Sequence, residues 1–106
     1  METFDLIAIE FIYENETRRL AFQSAELVIV KEFGTALWYI DVNGIQDTDL
    51  LRHFGESENI CVELKAGTGS GEIFEGTGYF HPNERHRGAA IRGYGELVQK
   101  QAETNG

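Results

Sequence analysis

Two stretches near the C-terminus decide the fold: FEGTGYF (residues 74–80) and IRGYGEL (residues 91–97). Each has two glycines, one residue apart, among aromatic and β-branched residues that favour strands. When the stretches are paired antiparallel with Gly78 opposite Gly93, one face of the pair is apolar and the glycines lie at its centre. The pattern therefore predicts a long hairpin.

The same register predicts the other neighbours across this hairpin. It places Glu75 opposite Glu96, which is an unfavourable pair of like charges. The remaining expected pairs are Gly76 with Gly95, Phe80 with Ile91, Phe74 with Leu97, Thr77 with Tyr94, and Tyr79 with Arg92.

Glycine inside a strand weakens it, so four glycines at matched positions need a physical reason. They let the strands coil sharply, as a closed barrel requires; they make room for an aromatic ring on the backbone, with Trp38 as the candidate; or they leave a concavity for a ligand. All three explanations stay open at this point.

The rest of the chain shows strand patterns as well. A turn centred on Asn15 and Glu16 would place Phe11 opposite Leu20. Every second residue from 36 to 42, Trp38 included, is apolar, so these residues share one apolar face and we expect Trp38 in the core. The strand-like runs are residues 4–13, 18–22, 26–33, 36–42 and 59–66.

One segment, residues 46–55, has a helical pattern. Asp47 or Thr48 can cap its start, and Gly55 can end it. A helix of about two turns is marginal alone, so we expect it to cover an open end or edge of the sheet. Its apolar stripe consists of Leu50, Leu51 and Phe54.

Together these patterns predict an all-β, mainly antiparallel domain over residues 1–98, with about seven strands and one short helix. Both a small barrel and a two-layer sandwich satisfy them. Residues 99–106 are polar, and we expect them to form a frayed tail.

Composition excludes several classes of protein. A chain of 106 residues suits one domain, and no apolar run approaches the roughly 20 residues of a membrane span. The net charge of −9 disfavours nucleic acid, and the acidic first residues favour a cytoplasmic location over secretion. A single cysteine, Cys61, excludes a disulfide framework. The glycine-rich residues 67–71 lack the lysine of a phosphate loop, so we expect no cofactor.

Residues 81–92 form the one cationic segment of this acidic sequence. Arginine and protonated histidine suit carboxylate or phosphate groups, so we expect the hairpin tip to recognise an anionic or acidic partner. No catalytic residue and no metal ligand is assigned. The expected binding residues are Tyr79, His81, Arg85, His86, Arg87, Arg92 and Tyr94.

These observations predict a non-catalytic binding module that acts on a protein partner or on a second copy of itself. Two alternatives stay open. One is a small-molecule-binding or enzymatic barrel with its site at the glycine-lined face. The other is a metal-dependent protein that uses His81 and His86, since imidazole is a common metal ligand.

Overall fold

The computed structural model describes residues 1–32 and 34–101, which form a closed six-stranded antiparallel barrel with one additional strand. Of the two predicted architectures, the barrel is confirmed. The elements are β1 (Glu2–Tyr13), β2 (Glu16–Leu20), β3 (Ser24–Glu32), β4 (Thr35–Asn43), α1 (Thr48–Glu56), β5 (Cys61–Thr68), β6 (Glu72–Asn83), a 3-10 turn (Glu84–His86) and β7 (Gly88–Gln101).

The long strand β1 closes the barrel because it pairs along both of its edges. On one edge, residues 2–6 pair with β3 and residues 9–13 pair with β2. On the other edge, residues 6–12 pair with β5, and the register shifts between Leu6 and Ala8. The strand order around the barrel is therefore β1-β3-β4-β7-β6-β5, and β2 lies outside the closed ring.

The hairpin between β1 and β2 differs from the prediction by two residues. Leu20 lies opposite Ile9 rather than Phe11. The two turn residues are Glu14 and Asn15, and both have positive φ values, 49° and 65°. Such two-residue turns match the twist of antiparallel strands. The shift by an even number keeps the predicted faces.

Helix α1 plugs the end of the barrel where β1 and β6 finish. On this helix, the ring of Phe54 stacks on the ring of Phe80, and their centroids are 4.3 Å apart. The centroids of Phe54 and Tyr13 are 4.6 Å apart. Asp47 caps the helix as predicted, because its side chain accepts a hydrogen bond from the Leu50 amide at 3.1 Å. Within the described residues, no helix has the length and apolarity needed to cross a membrane.

The hairpin of β6 and β7 has the predicted register over most of its length. Gly78 lies opposite Gly93, and the confirmed pairs continue from Thr77 with Tyr94 to the tip. The prediction is wrong on the other side of Tyr94, where the register shifts and Glu75 lies opposite Val98 instead of Glu96. The remaining incorrect pairs are Gly76 with Gly95 and Phe74 with Leu97, since Phe74 lies opposite Gln99.

This β-bulge has a local cause. Gly95 has a φ of +78°, a conformation that favours glycine. The extra residues on β7 separate Glu96 from Glu75 and let the end of β7 continue pairing with the start of β6. Residues 99–101 therefore belong to the sheet rather than to the expected frayed tail. The remainder of that tail, residues 102–106, lies outside the described residues.

Candidate interaction surface on the β6–β7 hairpin

The outer face of the hairpin collects four of the residues singled out from the sequence. Phe80 and Ile91 point into the core and are fully buried, so the residues next to them point outward. Tyr79 lies opposite Arg92, and His81 lies opposite Ala90. The fourth predicted residue on this face is Tyr94, whose Cα partner is Thr77.

The two tyrosines on this face contact each other. The ring centroids of Tyr79 and Tyr94 are 5.6 Å apart, with an edge-to-face angle of 70°. The two side chains nevertheless remain 37% and 63% exposed. A large aromatic surface is thus held in place and left open to solvent.

Strand β4 widens this surface with two residues that the sequence reasoning missed. Tyr39 is the Cα partner of Arg92, and Leu37 lies two positions along the same face, 61% exposed. The alternation within residues 36–42 indicates that these two residues lie on the side opposite Trp38. Only the pairing of β4 with β7, however, brings them beside the hairpin. We call this surface the tyrosine–arginine face: Leu37, Tyr39, Tyr79, Arg92 and Tyr94.

At the end of the hairpin lies the cationic turn, Arg85, His86 and Arg87. All three residues are exposed. Arg87 has a φ of 50° in the left-handed region, and the Asn83 side chain accepts a hydrogen bond from the His86 amide at 3.4 Å. Neither arginine forms an ion pair within the part of the chain that the structure describes.

The backbone of the cationic turn is anchored rather than free. The Ile45 amide donates a hydrogen bond to the Arg87 carbonyl oxygen at 2.8 Å. A Cβ placed on Gly55 of α1 would lie 2.9 Å from Glu84 Oε1, so the turn rests directly on the helix. The side chains expected to bind are therefore presented from a fixed base.

The bulge opens a groove of about 650 Å³ beside the tyrosine–arginine face, and we call it the bulge groove. Its apolar lining includes Ile12 and Val98, which are 43% and 47% exposed. The charged residues around it are Glu10, Glu63, Lys65, Glu75 and Glu96.

One of these carboxylates, that of Glu75, forms ion pairs with two lysines. Lys100 Nζ lies 2.7 Å from Glu75 Oε2, and Lys65 Nζ lies 3.3 Å from Glu75 Oε1. The hydrogen bonds from Lys100 and then Lys65 hold the pKa of Glu75 below its ordinary value. By contrast, Glu63 and Glu96 are exposed and form no ion pair among the described residues.

The glycine-lined face inside the barrel is covered by Trp38. A Cβ on Gly93 would lie 2.5 Å from Trp38 Nε1, and one on Gly76 would lie 3.0 Å from Cζ2. The indole N–H donates a hydrogen bond to the Gly95 carbonyl oxygen at 3.1 Å. Of the three explanations for the glycines, room for an aromatic ring thus accounts for Gly76 and Gly93. A groove of about 660 Å³ opens beside the indole and is lined in part by Gly93 and Gly95, so the small-molecule alternative stays a prediction.

The histidines do not converge. His81 and His86 are exposed on the hairpin, whereas His53 Nε2 lies 3.2 Å from the Tyr13 hydroxyl oxygen on the other side of α1. In residues 1–32 and 34–101, no three His, Cys, Asp or Glu side chains are arranged to hold a metal ion. The alternative of a metal-dependent protein that uses His81 and His86 therefore stays a prediction.

Comparison with models of protein families, with curated proteins and with solved structures finds no match for this chain.

Proposed function

We propose that the chain is a non-catalytic interaction module that binds an acidic protein partner along the outer side of its β6–β7 hairpin. One observation carries the proposal: exposed Tyr79, Arg92 and Tyr94 share a face that leads to the exposed Arg85 and Arg87. Aromatic and basic groups thus lie along one side of the hairpin and at its tip.

The residue types favour a protein partner. Tyrosine and arginine are enriched in the cores of protein interfaces, where they supply most of the binding energy. Nucleic acid is disfavoured because the chain carries a net charge of −9, which repels phosphate backbones at long range.

The charge of the hairpin favours an acidic partner. Guanidinium groups form paired hydrogen bonds with carboxylates, and the two arginines of the cationic turn have no such partner among the described residues. Because the contact would be exposed, its attraction should weaken as salt is added.

The proposed module acts in the cytoplasm. Cys61 is an exposed free thiol on β5, and thiols of this kind stay reduced in that compartment.

Affinity capture with charge-reversed baits tests the proposal. The test bait carries Arg85→Glu and Arg87→Glu, and a matched control carries Arg18→Glu and Lys31→Glu, which change the charge equally at exposed positions elsewhere. We expect a specific set of acidic proteins that the control bait retains and the test bait loses by about tenfold or more. Equal capture by both baits would overturn the proposal, provided that both show wild-type unfolding curves.

A further inference from the structure

We infer that the acidic partner is a second copy of this chain, whose bulge groove receives the cationic turn. This inference rests on the proposed function and deepens it by naming the partner. It follows from two charge-complementary surfaces of the same chain: the cationic turn, and the bulge groove with its carboxylates.

The bulge groove has the chemistry to hold a guanidinium group. Glu63 and Glu96 offer exposed carboxylates that no lysine or arginine neutralises among the described residues. The exposed ring of Tyr94 forms part of the lining and presents a face to which a cation is attracted. The apolar Ile12 and Val98 can cover the methylene stem of an arginine.

The cationic turn offers the complementary groups. Arg85 and Arg87 project from an anchored backbone, so binding has to order their side chains but not the turn itself. A groove of about 650 Å³ lies within the size range of ligand-binding clefts, which accommodates the side chains of one turn.

The contact must be between copies. Gly76 at the groove lies within β6, and Glu84 at the turn follows the end of that strand, which separates them by about 26 Å at the usual rise of a strand. The strand is paired on both edges, so it cannot fold back to bring the turn into its own groove. A contact between different surfaces of two copies is heterologous and generates rings or open chains.

Sedimentation velocity over a wide concentration range tests the inference on the full chain. We expect the wild type to associate as concentration rises, and Arg85→Glu/Arg87→Glu to weaken association by about tenfold or more. The groove variant Glu63→Lys/Glu96→Lys should do the same. Glu26→Lys/Glu32→Lys, on β3 and outside the groove, is the matched control and should behave as wild type.

Mixing the two charge-reversed proteins gives the decisive result. Each alone sets like charges against each other, whereas the mixture pairs the native turn of one with the native groove of the other. We expect mixed complexes to form with at least wild-type affinity.

A wild type that stays monomeric throughout, or a mixture that stays dissociated, would overturn self-docking. In either case the capture experiment decides the proposed function separately, since it detects any other acidic partner that requires Arg85 and Arg87.

Discussion

Trp38 lies against the backbone of Gly93 so closely that the smallest side chain at position 93 would overlap the indole. The ring is 5% exposed, and its N–H donates a hydrogen bond to the Gly95 carbonyl oxygen. The indole thus occupies the space that the missing side chain at position 93 leaves inside the barrel. On the outer side of the same hairpin, Tyr79 and Tyr94 are exposed.

Replacing Gly93 with alanine tests this packing. We expect Gly93→Ala to lower the free energy of unfolding by about 1–3 kcal/mol, because a methyl group forces the indole or the strand to move. Chemical denaturation followed by the fluorescence of the sole tryptophan measures the loss. Gly69→Ala is the control, since its Cβ would meet nothing closer than 4.0 Å, and its effect should stay within about 0.5 kcal/mol. Equal stability of both variants would contradict the packing.

The plug formed by α1 depends on Phe54, which is 2% exposed. We expect Phe54→Ala to cost about 3–5 kcal/mol, because it removes a buried ring and leaves a cavity beside Phe80. Arg52→Ala, on the exposed side of the same helix, should cost at most about 0.5 kcal/mol. Thermal or denaturant unfolding of the two variants compares them, and a small loss for Phe54→Ala would show that the helix does not complete the core.

The ion pairs of Glu75 make the stability of the protein depend on pH. Hydrogen bonds from Lys100 and Lys65 lower its pKa below the ordinary value of 4.5. Its stabilising contribution is therefore complete above that ordinary value and is lost as the pH falls through the lowered value of the folded state. We expect Lys100→Met to move the pKa of Glu75 upward, which a carboxyl NMR titration measures directly.

Glu75→Gln is the matching control for unfolding. This variant should no longer lose the stability that wild type loses when Glu75 is protonated in acid, since a neutral amide has no charge to lose. An unchanged Glu75 titration in the Lys100→Met protein would contradict the assignment of the pair.

Binding and stability should separate at the tyrosines. Tyr79→Thr/Tyr94→Thr keeps a residue that favours strands, and because both rings are partly exposed we expect a stability loss of at most about 1 kcal/mol. Capture of the proposed acidic partner should fall about tenfold, since exposed tyrosines at an interface often carry much of its binding energy. Denaturation and quantitative capture on the same preparations measure both quantities.

Tyr13→Phe should show the opposite behaviour. The Tyr13 hydroxyl donates a 2.7 Å hydrogen bond to the Asn59 carbonyl oxygen, and its loss should cost about 1 kcal/mol while leaving capture unchanged. If both tyrosine variants lose stability and keep binding, the tyrosine–arginine face is part of the scaffold alone.

The sequence predicted those features of the hairpin that depend on alternation. Matching Gly78 with Gly93 places Tyr79 and Arg92 on the outer side, and any even shift keeps that face. The bulge at Gly95 was not predictable from alternation, because a glycine reveals that positive φ is allowed but not that it is adopted. In the same way, Glu14 gave no sign that it would take a left-handed turn conformation, so the first hairpin was displaced.

The pairing of strands that are far apart in sequence could not be predicted, for a different reason. The contact of Tyr39 with the hairpin exists because β4 pairs with β7, and nothing in residues 36–42 identifies that partner. Barrel closure through β1 is similarly a property of the whole sheet. The predicted surface therefore contained Tyr79, Arg92 and Tyr94 but omitted Leu37 and Tyr39.

The most direct test of the hairpin as the binding surface is an amide chemical-shift map of the isotope-labelled chain as an unlabelled second copy, or the captured acidic partner, is added. We expect perturbations concentrated at residues 79–81, 84–87 and 92–94, with the groove residue Glu63 joining them when the partner is a second copy. Perturbations confined to β2 and β3, with residues 79–94 unchanged, would contradict binding through the hairpin.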